Sequence, residues 1–213
     1  MLAKVKGAKE SLRAKLGALA LSAAAAGALV AAVPPVAAQR GAGVDRRAVA
    51  QAERHTGDRF RHVTRTPRGA QVVSVSPPRA EMLNAIDGGL SELFAVARRH
   101  GYRRGLDYAN YTVFVARADR QRDSAGAYSP DVAIGAAQYA GSVYDKGGYV
   151  YAAGIVSSFN PMSFIVAEHD RDFGRVSNVV RYEGEHLILY HNDQRRYRET
   201  YDHSRGGGHP ILQ

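Results

Sequence analysis

Side chains suited to acid–base or metal chemistry are concentrated near the C-terminus of the chain. Four of the eight histidines lie beyond residue 185, and five carboxylates accompany them. The histidines are His186, His191, His203 and His209, and the carboxylates are Glu183, Glu185, Asp193, Glu199 and Asp202. Imidazole nitrogens and carboxylate oxygens are zinc ligands in proteins, and the same groups transfer protons in hydrolytic reactions. This region is therefore the candidate functional site.

Helical spacing separates these groups onto two faces. Residues three, four and seven positions apart share one face of an α-helix. That face would hold Tyr182, Glu183, His186, Tyr190 and Asp193. His191 falls on a different face with Leu187, roughly 100–140° away. We therefore predict that His191 is a core histidine and does not share a site with His186.

The polar face predicts a metal site. Glu183 and His186 can offer a carboxylate oxygen and an imidazole nitrogen to one ion, and Asp193 can add a third ligand. A catalytic zinc site needs three protein ligands and one open position for water. The glycines at 206–208 allow the tail to fold back over the helix and bring His203 or His209 to the same ion. The predicted cofactor is zinc or another divalent metal, and the predicted ligands are Glu183, His186, Asp193, His203 and His209.

These groups predict a hydrolase in which a water molecule attacks a carbonyl group of the substrate. Glu183 or Glu185 would take the proton from water, and Tyr190 or a tail histidine would stabilise the oxyanion. The same residues also suit a structural network, because buried histidines commonly hydrogen-bond to carboxylates. In that alternative the chain is a non-catalytic envelope protein, and its sheet or Arg-rich arm binds a partner or an anionic envelope component.

Residues 182–186 read Tyr-Glu-Gly-Glu-His. This motif resembles the His-Glu-x-x-His helix of the zincin metallopeptidases, with Tyr182 in the place of the first histidine. The predicted order of a helix, strands and this helix also looks like the upper half of a zincin domain. The resemblance implies that Glu183 is the general base, that His186 is the second ligand and that the substrate is a peptide. Asp193 is close to the acidic third ligand of some zincins, one residue further from His186 than their spacing.

The elements that must position these groups are predicted from periodicity. Apolar residues between Met82 and Ala97 recur at three- and four-residue spacing, which predicts a long amphipathic helix that stops at Gly101. Helical spacing returns from Ser177 to about Tyr190, and a short helix follows over 193–200. Runs of β-branched and aromatic residues predict strands at 71–75, 111–116, 132–134, 142–144, 149–157 and 163–167. The predicted fold class is α+β, with a mostly antiparallel sheet of about four to six strands, a C-terminal helix and a Gly-rich tail.

The N-terminus predicts export. Five basic residues precede an uncharged, Ala-rich run at 16–36, and Val36-Ala37-Ala38 has the small residues of a signal-peptidase site. We therefore expect residues 1–38 to be a cleaved signal peptide. The mature protein would start at Gln39, lie in the periplasm or outside the cell, and have no stable membrane anchor.

Composition limits the partners of the mature protein. Cleavage would remove five basic residues and one acid, which lowers the formal charge from +9 to +5. The remaining arginines are scattered along the chain, so we do not predict nucleic-acid binding. Residues 39–75 are polar, Arg-rich and weakly periodic, which predicts a loosely ordered arm. Residues 76–213 are predicted to form one α+β domain.

Overall fold

The computed structural model describes residues 43–122, 125–126 and 129–213. The predicted signal peptide and its cleavage site lie outside these residues. All of the described residues belong to one compact unit. None of its helices is both long enough and apolar enough to cross a membrane.

The described part of the chain contains four α-helices and seven strands. The helices are α1 (Arg46–Thr56), α2 (Ala80–Arg99), α3 (Phe173–Asn192) and α4 (Gln194–Thr200). The strands are β1 (His62–Arg65), β2 (Gln71–Ser74), β3 (Tyr111–Ala116), β4 (Val132–Ile134), β5 (Val150–Ala152), β6 (Gly154–Phe159) and β7 (Met162–Ala167). This composition confirms the predicted α+β class.

Five of the strands form one mixed sheet, in the order β1-β2-β3-β7-β6. The β2/β3 and β3/β7 pairs are parallel, whereas β1/β2 and β6/β7 are antiparallel. Strands β4 and β5 form a separate antiparallel pair. The number of strands agrees with the prediction, but antiparallel pairing does not dominate the main sheet. Hydrophobic periodicity identifies strands without specifying their partners, so the parallel pairs could not be predicted from it.

The main sheet separates two cores. Its central strands β3 and β7 are buried along their whole length, and successive side chains point to opposite faces. Val113, Val115 and Phe164 pack with residues of α2 and α3 on one face. Phe114 and Ile165 pack with residues of α1 and β4 on the other. Burial on both faces explains the nearly continuous apolar sequence of these two strands.

Close packing fixes helix α3 against its neighbours. Gly184 of α3 faces α2 so closely that a Cβ atom there would lie 2.5 Å from Cδ2 of Leu93. Toward the sheet, Glu183 lies against Gly154, where a Cβ atom would come within 2.9 Å of the Glu183 Cγ. A glycine at each position permits these approaches. The position of α3, and with it the face that holds His186, is therefore set by contacts on two sides.

The N-terminal segment is more ordered than its sequence predicts. Helix α1 starts at Asp45, whose side chain caps it, and ends at Gly57 in the left-handed conformation. Ala48, Ala52 and Phe60 are buried in the second core, and strand β2 pairs with β3 inside the sheet. The predicted loose arm over 39–75 is therefore replaced, from residue 43 onward, by a helix and two strands. The two buried residues of α1 are alanines, which give only a weak hydrophobic signal.

The strand and helix predictions for the second half of the chain are partly confirmed. The 163–167 strand lies within β7, and the 177–190 helix lies within α3, which begins after an Asp172 cap. The predicted 149–157 strand is divided at Ala153 into β5 and β6, each with its own partner. Residues 142–144 form no strand and precede a turn at Asp145, whose carboxylate accepts the Gly148 N–H at 2.6 Å.

Candidate metal centre

The C-terminal tail folds back over α3. Asp202 caps a short 3-10 turn at His203–Arg205, and Gly206 follows with a φ of 82°. A Cβ atom on Gly207 would overlap the backbone carbonyl oxygens of Thr200 and Asp202, so only glycine fits this turn without a shift. Beyond the turn, Ile211 is 3% exposed and packs in the core beside α3. The tail is therefore part of the folded unit and lies over the helix, as its glycines predict.

This fold brings three histidines together. Ligand nitrogens of His186, His203 and His209 all lie within 4.8 Å of one another. The ring centroids are 5.2 Å apart for His186 and His203, 4.8 Å for His186 and His209, and 4.9 Å for His203 and His209. Nitrogens around a tetrahedral zinc ion, at about 2.0–2.1 Å from it, lie about 3.4 Å apart. Small ring movements would therefore be enough to place the three nitrogens on one ion.

The three imidazole rings form no hydrogen bonds with the described part of the chain. Nδ1 of His186 is buried without a hydrogen-bond partner. Nδ1 of His209 lies 3.0 Å from Oε2 of Glu185, in a contact that is not aligned as a hydrogen bond. Buried polar atoms in proteins are normally paired, and an exception calls for an explanation such as an ion. His203 is exposed, so the cluster is also accessible from outside. The donor set, its accessibility and the unpaired buried nitrogen of His186 fit a bound metal ion.

The electrostatic environment favours the neutral, metal-binding form of His186 and His203. Burial, together with the neighbouring His209 and His203, lowers the pKa of His186 to about 3. Burial also lowers the pKa of His203, with a contribution from His209. A neutral imidazole has a free nitrogen lone pair, which is the form that binds a metal.

The histidine cluster lies on the wall of a cleft of about 750 Å³. All six residues of β6 line this cleft, and α3 contributes Tyr182, Glu183 and His186. His203 and His209 line the cleft from the tail, and residues of β5 and α1 also line it. The cluster is thus next to a space large enough for a substrate, since ligand pockets typically measure about 300–1,000 Å³.

Glu183 lies in the same cleft, one helical turn before His186. Burial raises the pKa of its carboxyl group to about 8, and the backbone N–H of Val156 offsets part of this effect. A carboxyl group with a pKa near neutrality is suited to both accept and donate a proton during a reaction. Glu183 therefore lines the same cleft as the three histidines but, against the prediction, is not one of the clustered ligand residues.

Two other predicted catalytic residues lie outside the cleft lining. Glu185 is completely buried, accepts the Ile211 N–H at 2.8 Å and faces the tail. Tyr190 packs in an aromatic group, with its ring 4.3 Å from that of Phe159. Neither residue is among those that line the cleft.

Asp193 does not join the histidine cluster. Helix α3 ends at this residue, whose carboxylate caps α4 by accepting the Arg196 N–H at 3.0 Å and also accepts the Tyr102 hydroxyl at 3.2 Å. The prediction placed Asp193 on the polar face because it assumed that the helix continues through this residue. Since Asn192 is the last residue of α3, Asp193 does not share that face. His191, predicted to be a core histidine, pairs through Nε2 with the Phe159 carbonyl oxygen at 3.0 Å.

Several aromatic residues without a predicted role also line the cleft. Tyr182 stacks on His209 at a centroid distance of 4.6 Å. Tyr197 and Tyr201 of α4 stack on each other at 5.1 Å, and Phe159 meets Tyr197 edge-on at 5.3 Å. The four-residue spacing of the two α4 tyrosines indicates a shared helix face. That spacing is the signal in the sequence by which this aromatic wall could have been found.

No protein-family model, curated protein or solved structure matches this chain. Its classification therefore depends on the fold and the site. Together they define an α+β protein with a three-histidine cluster on the wall of a large cleft.

Proposed function

We propose that this protein is a divalent-metal-dependent hydrolase of peptidase-like kind, with zinc or another divalent ion held by His186, His203 and His209. The observation that supports this most strongly is the convergence of the three ligand nitrogens within 4.8 Å. Nδ1 of His186 is buried without a hydrogen-bond partner among the described residues, and a purely structural network would leave this atom unexplained.

When bound, the ion would supply Lewis acidity and lower the pKa of a water molecule at its open position. Glu183 is the residue of this chain placed to take a proton from that water, because it lines the cleft one turn before His186. Tyr139 lines the same cleft. Burial raises its pKa, as do the charges of Asp202 and Glu183, so its hydroxyl stays protonated and can donate to an oxyanion.

The shape of the cleft supports a peptide-like substrate. Strand β6 is an edge strand of the main sheet, and its whole length lines the cleft. An extended peptide can bind beside an exposed sheet edge through backbone hydrogen bonds. The rings of Phe159, Tyr197 and Tyr201 line the cleft on the α4 side and provide an apolar surface for a substrate side chain.

Of the residues that carry the resemblance to zincins, this proposed site retains Glu183 and His186. In this proposal the two remaining ligands come from the tail, in place of the missing first histidine and of Asp193. The proposal places the reaction outside the cytoplasm, in the periplasm or the medium, on the strength of the N-terminal sequence. A chain without cysteine needs no disulfide to fold there.

The proposed activity is tested by incubating the purified protein with a diverse peptide mixture and identifying cleavage products by mass spectrometry. We expect cleavage that stops when a chelator removes the metal and returns when zinc is added. Glu183→Gln should retain the metal and lose about 10²–10⁴-fold in rate, the usual contribution of a general base. Glu81→Gln, at an exposed position on α2, is the matched control and should cleave like the parent. Chelator-resistant cleavage, or full activity in Glu183→Gln, would contradict the proposal.

A further inference from the structure

A buried carboxylate lies beneath the tail, next to His186 in sequence but outside the cleft lining. The Glu185 side chain has no exposed surface. Its Oε1 accepts the backbone N–H of Ile211 at 2.8 Å. Its Oε2 lies 3.0 Å from Nδ1 of His209. Both oxygens therefore face the tail, one toward its backbone and the other toward a histidine of the cluster.

The second of these contacts joins two atoms that have no other partner. Glu185 Oε2 and His209 Nδ1 are both buried without a hydrogen bond in the described structure, because their 3.0 Å approach is not aligned for one. Burying a carboxylate away from water is costly unless a donor or a positive charge compensates it. His209 is the basic side chain within ion-pair distance of Glu185 among the described residues. A small rotation of the imidazole ring would align the pair.

We propose that Glu185 is a positioning residue of the metal centre, which orients His209 and fastens the tail that supplies two of its three ligands. This inference rests on the metal site of the proposed function. With Nδ1–H directed at Glu185, His209 would present Nε2 to the ion. Histidine ligands of metals commonly donate their second nitrogen to a carboxylate in this way, which fixes the ring and its tautomer.

Glu185 also contacts the backbone of the tail. His203 and His209 flank the glycines at 206–208, a stretch with high conformational freedom in the unfolded chain. Ile211 is buried in the core beside α3, and its backbone N–H is the one that Glu185 Oε1 accepts. Glu185 therefore acts on the cluster in two ways, by orienting one ligand and by holding the backbone that follows it. Removing such a partner of a metal ligand typically lowers metal affinity 10- to 100-fold.

The test is a zinc titration of the purified full chain against a chromophoric chelator. Glu185→Gln keeps the size of the side chain and an acceptor for Ile211 but removes the charge. We expect it to lower zinc affinity 10- to 100-fold and to change the visible spectrum of the cobalt-loaded protein. Glu92→Gln, which alters a carboxylate paired with Arg181 on the surface, is the control and should bind zinc like the parent.

A double-mutant cycle separates positioning from a general effect on stability. If Glu185 acts through His209, Glu185→Gln should change zinc affinity far less in a His209→Ala background than in the parent. Equal losses in both backgrounds would overturn the proposal, as would parent-like affinity in Glu185→Gln. Should Glu185→Gln not fold, Glu185→Asp is used instead, which keeps the charge but moves the carboxylate away from His209 on a shorter side chain. We expect the same loss of zinc affinity, and parent-like affinity would again overturn the proposal. A parent that binds no zinc would instead refute the metal site itself.

Discussion

The rings of His186 on α3 and His209 in the C-terminal tail lie 4.8 Å apart without a hydrogen bond between them. One ring belongs to a helix packed on two sides, and the other to a tail that reaches the helix through a glycine turn. The three-histidine cluster therefore forms only when the tail is folded onto α3. In the proposed function, metal binding and folding of the tail onto α3 would depend on each other.

Zinc should raise the thermal stability of the parent, because an ion that binds the folded chain stabilises it by mass action. At a free zinc concentration about 100 times the Kd, the gain is about 2.7 kcal/mol. His203→Ala should lose this gain and melt like the parent when both are metal-free, since the side chain is exposed. Scanning calorimetry with zinc or chelator measures the effect. His62→Ala, at an exposed strand position, should keep the full zinc response, and an equal response in His203→Ala would contradict the ligand assignment.

Gly207→Ala should weaken zinc binding through the tail. The added Cβ atom would overlap backbone carbonyl oxygens, and the resulting shift would move His203 and His209 apart. We expect at least about a tenfold loss of zinc affinity, the scale of disturbing the support of a metal ligand. Gly208→Ala is the matched control, because the nearest atom to its new Cβ would be the flexible Gln213 side chain at 3.7 Å. Equal affinities for the two variants would show that the turn does not position the cluster.

Phe60→Ala should destabilise the protein strongly, because the N-terminal segment is part of the second core. The Phe60 ring is buried and meets Phe114 of β3 edge-on at 5.1 Å. Truncation of a buried phenylalanine costs about 3–5 kcal/mol. Urea denaturation measures the change in the free energy of unfolding. A loss below about 1 kcal/mol would contradict this expectation and would support the loosely ordered arm that the composition of this segment predicts.

The pH dependence of stability should include a contribution from His169. This residue is buried, and burial together with the charge of Arg175 lowers its pKa below the ordinary 6.5. Below about pH 6.5 the unfolded chain therefore binds the proton more readily than the folded one, and stability falls as the pH decreases. Urea denaturation of the metal-free protein at pH 7.5 and 5.5 should show a smaller difference for His169→Gln than for the parent. His62→Gln should leave the difference unchanged, and an unchanged difference in His169→Gln would contradict this account.

The sequence contained enough information to place His186, His203 and His209 in one candidate site, since three glycines between the tail histidines implied a chain that folds back. It could not separate these ligands from Asp193, because the helix end at that residue comes from a cap that competes with continuation of the helix. It also could not assign Glu185 to the tail, since adjacent helix residues point in directions about 100° apart and only the tertiary contact decides their partners.

Pairing between distant segments explains the remaining differences in the fold. Strand β2 was predicted as a strand, but its parallel partner β3 comes only after α2 in the sequence. Local periodicity cannot predict a pairing between segments so far apart. The two buried positions of α1 are alanines in an otherwise largely polar segment, so few large apolar residues marked this helix in the sequence. In both cases the stabilising contacts are made with residues distant in the sequence, so a local window of sequence does not reveal them.

The central claim is that His186, His203 and His209 hold one metal ion, and metal stoichiometry tests it most directly. The parent and His186→Ala, both equilibrated with zinc and freed of excess ion, are analysed by native mass spectrometry, with circular dichroism to verify folding. The account predicts about one ion per chain in the parent and none in a folded His186→Ala variant, because the buried helix ligand is lost. A metal-free parent, or a His186→Ala variant that binds as much zinc as the parent, would contradict it.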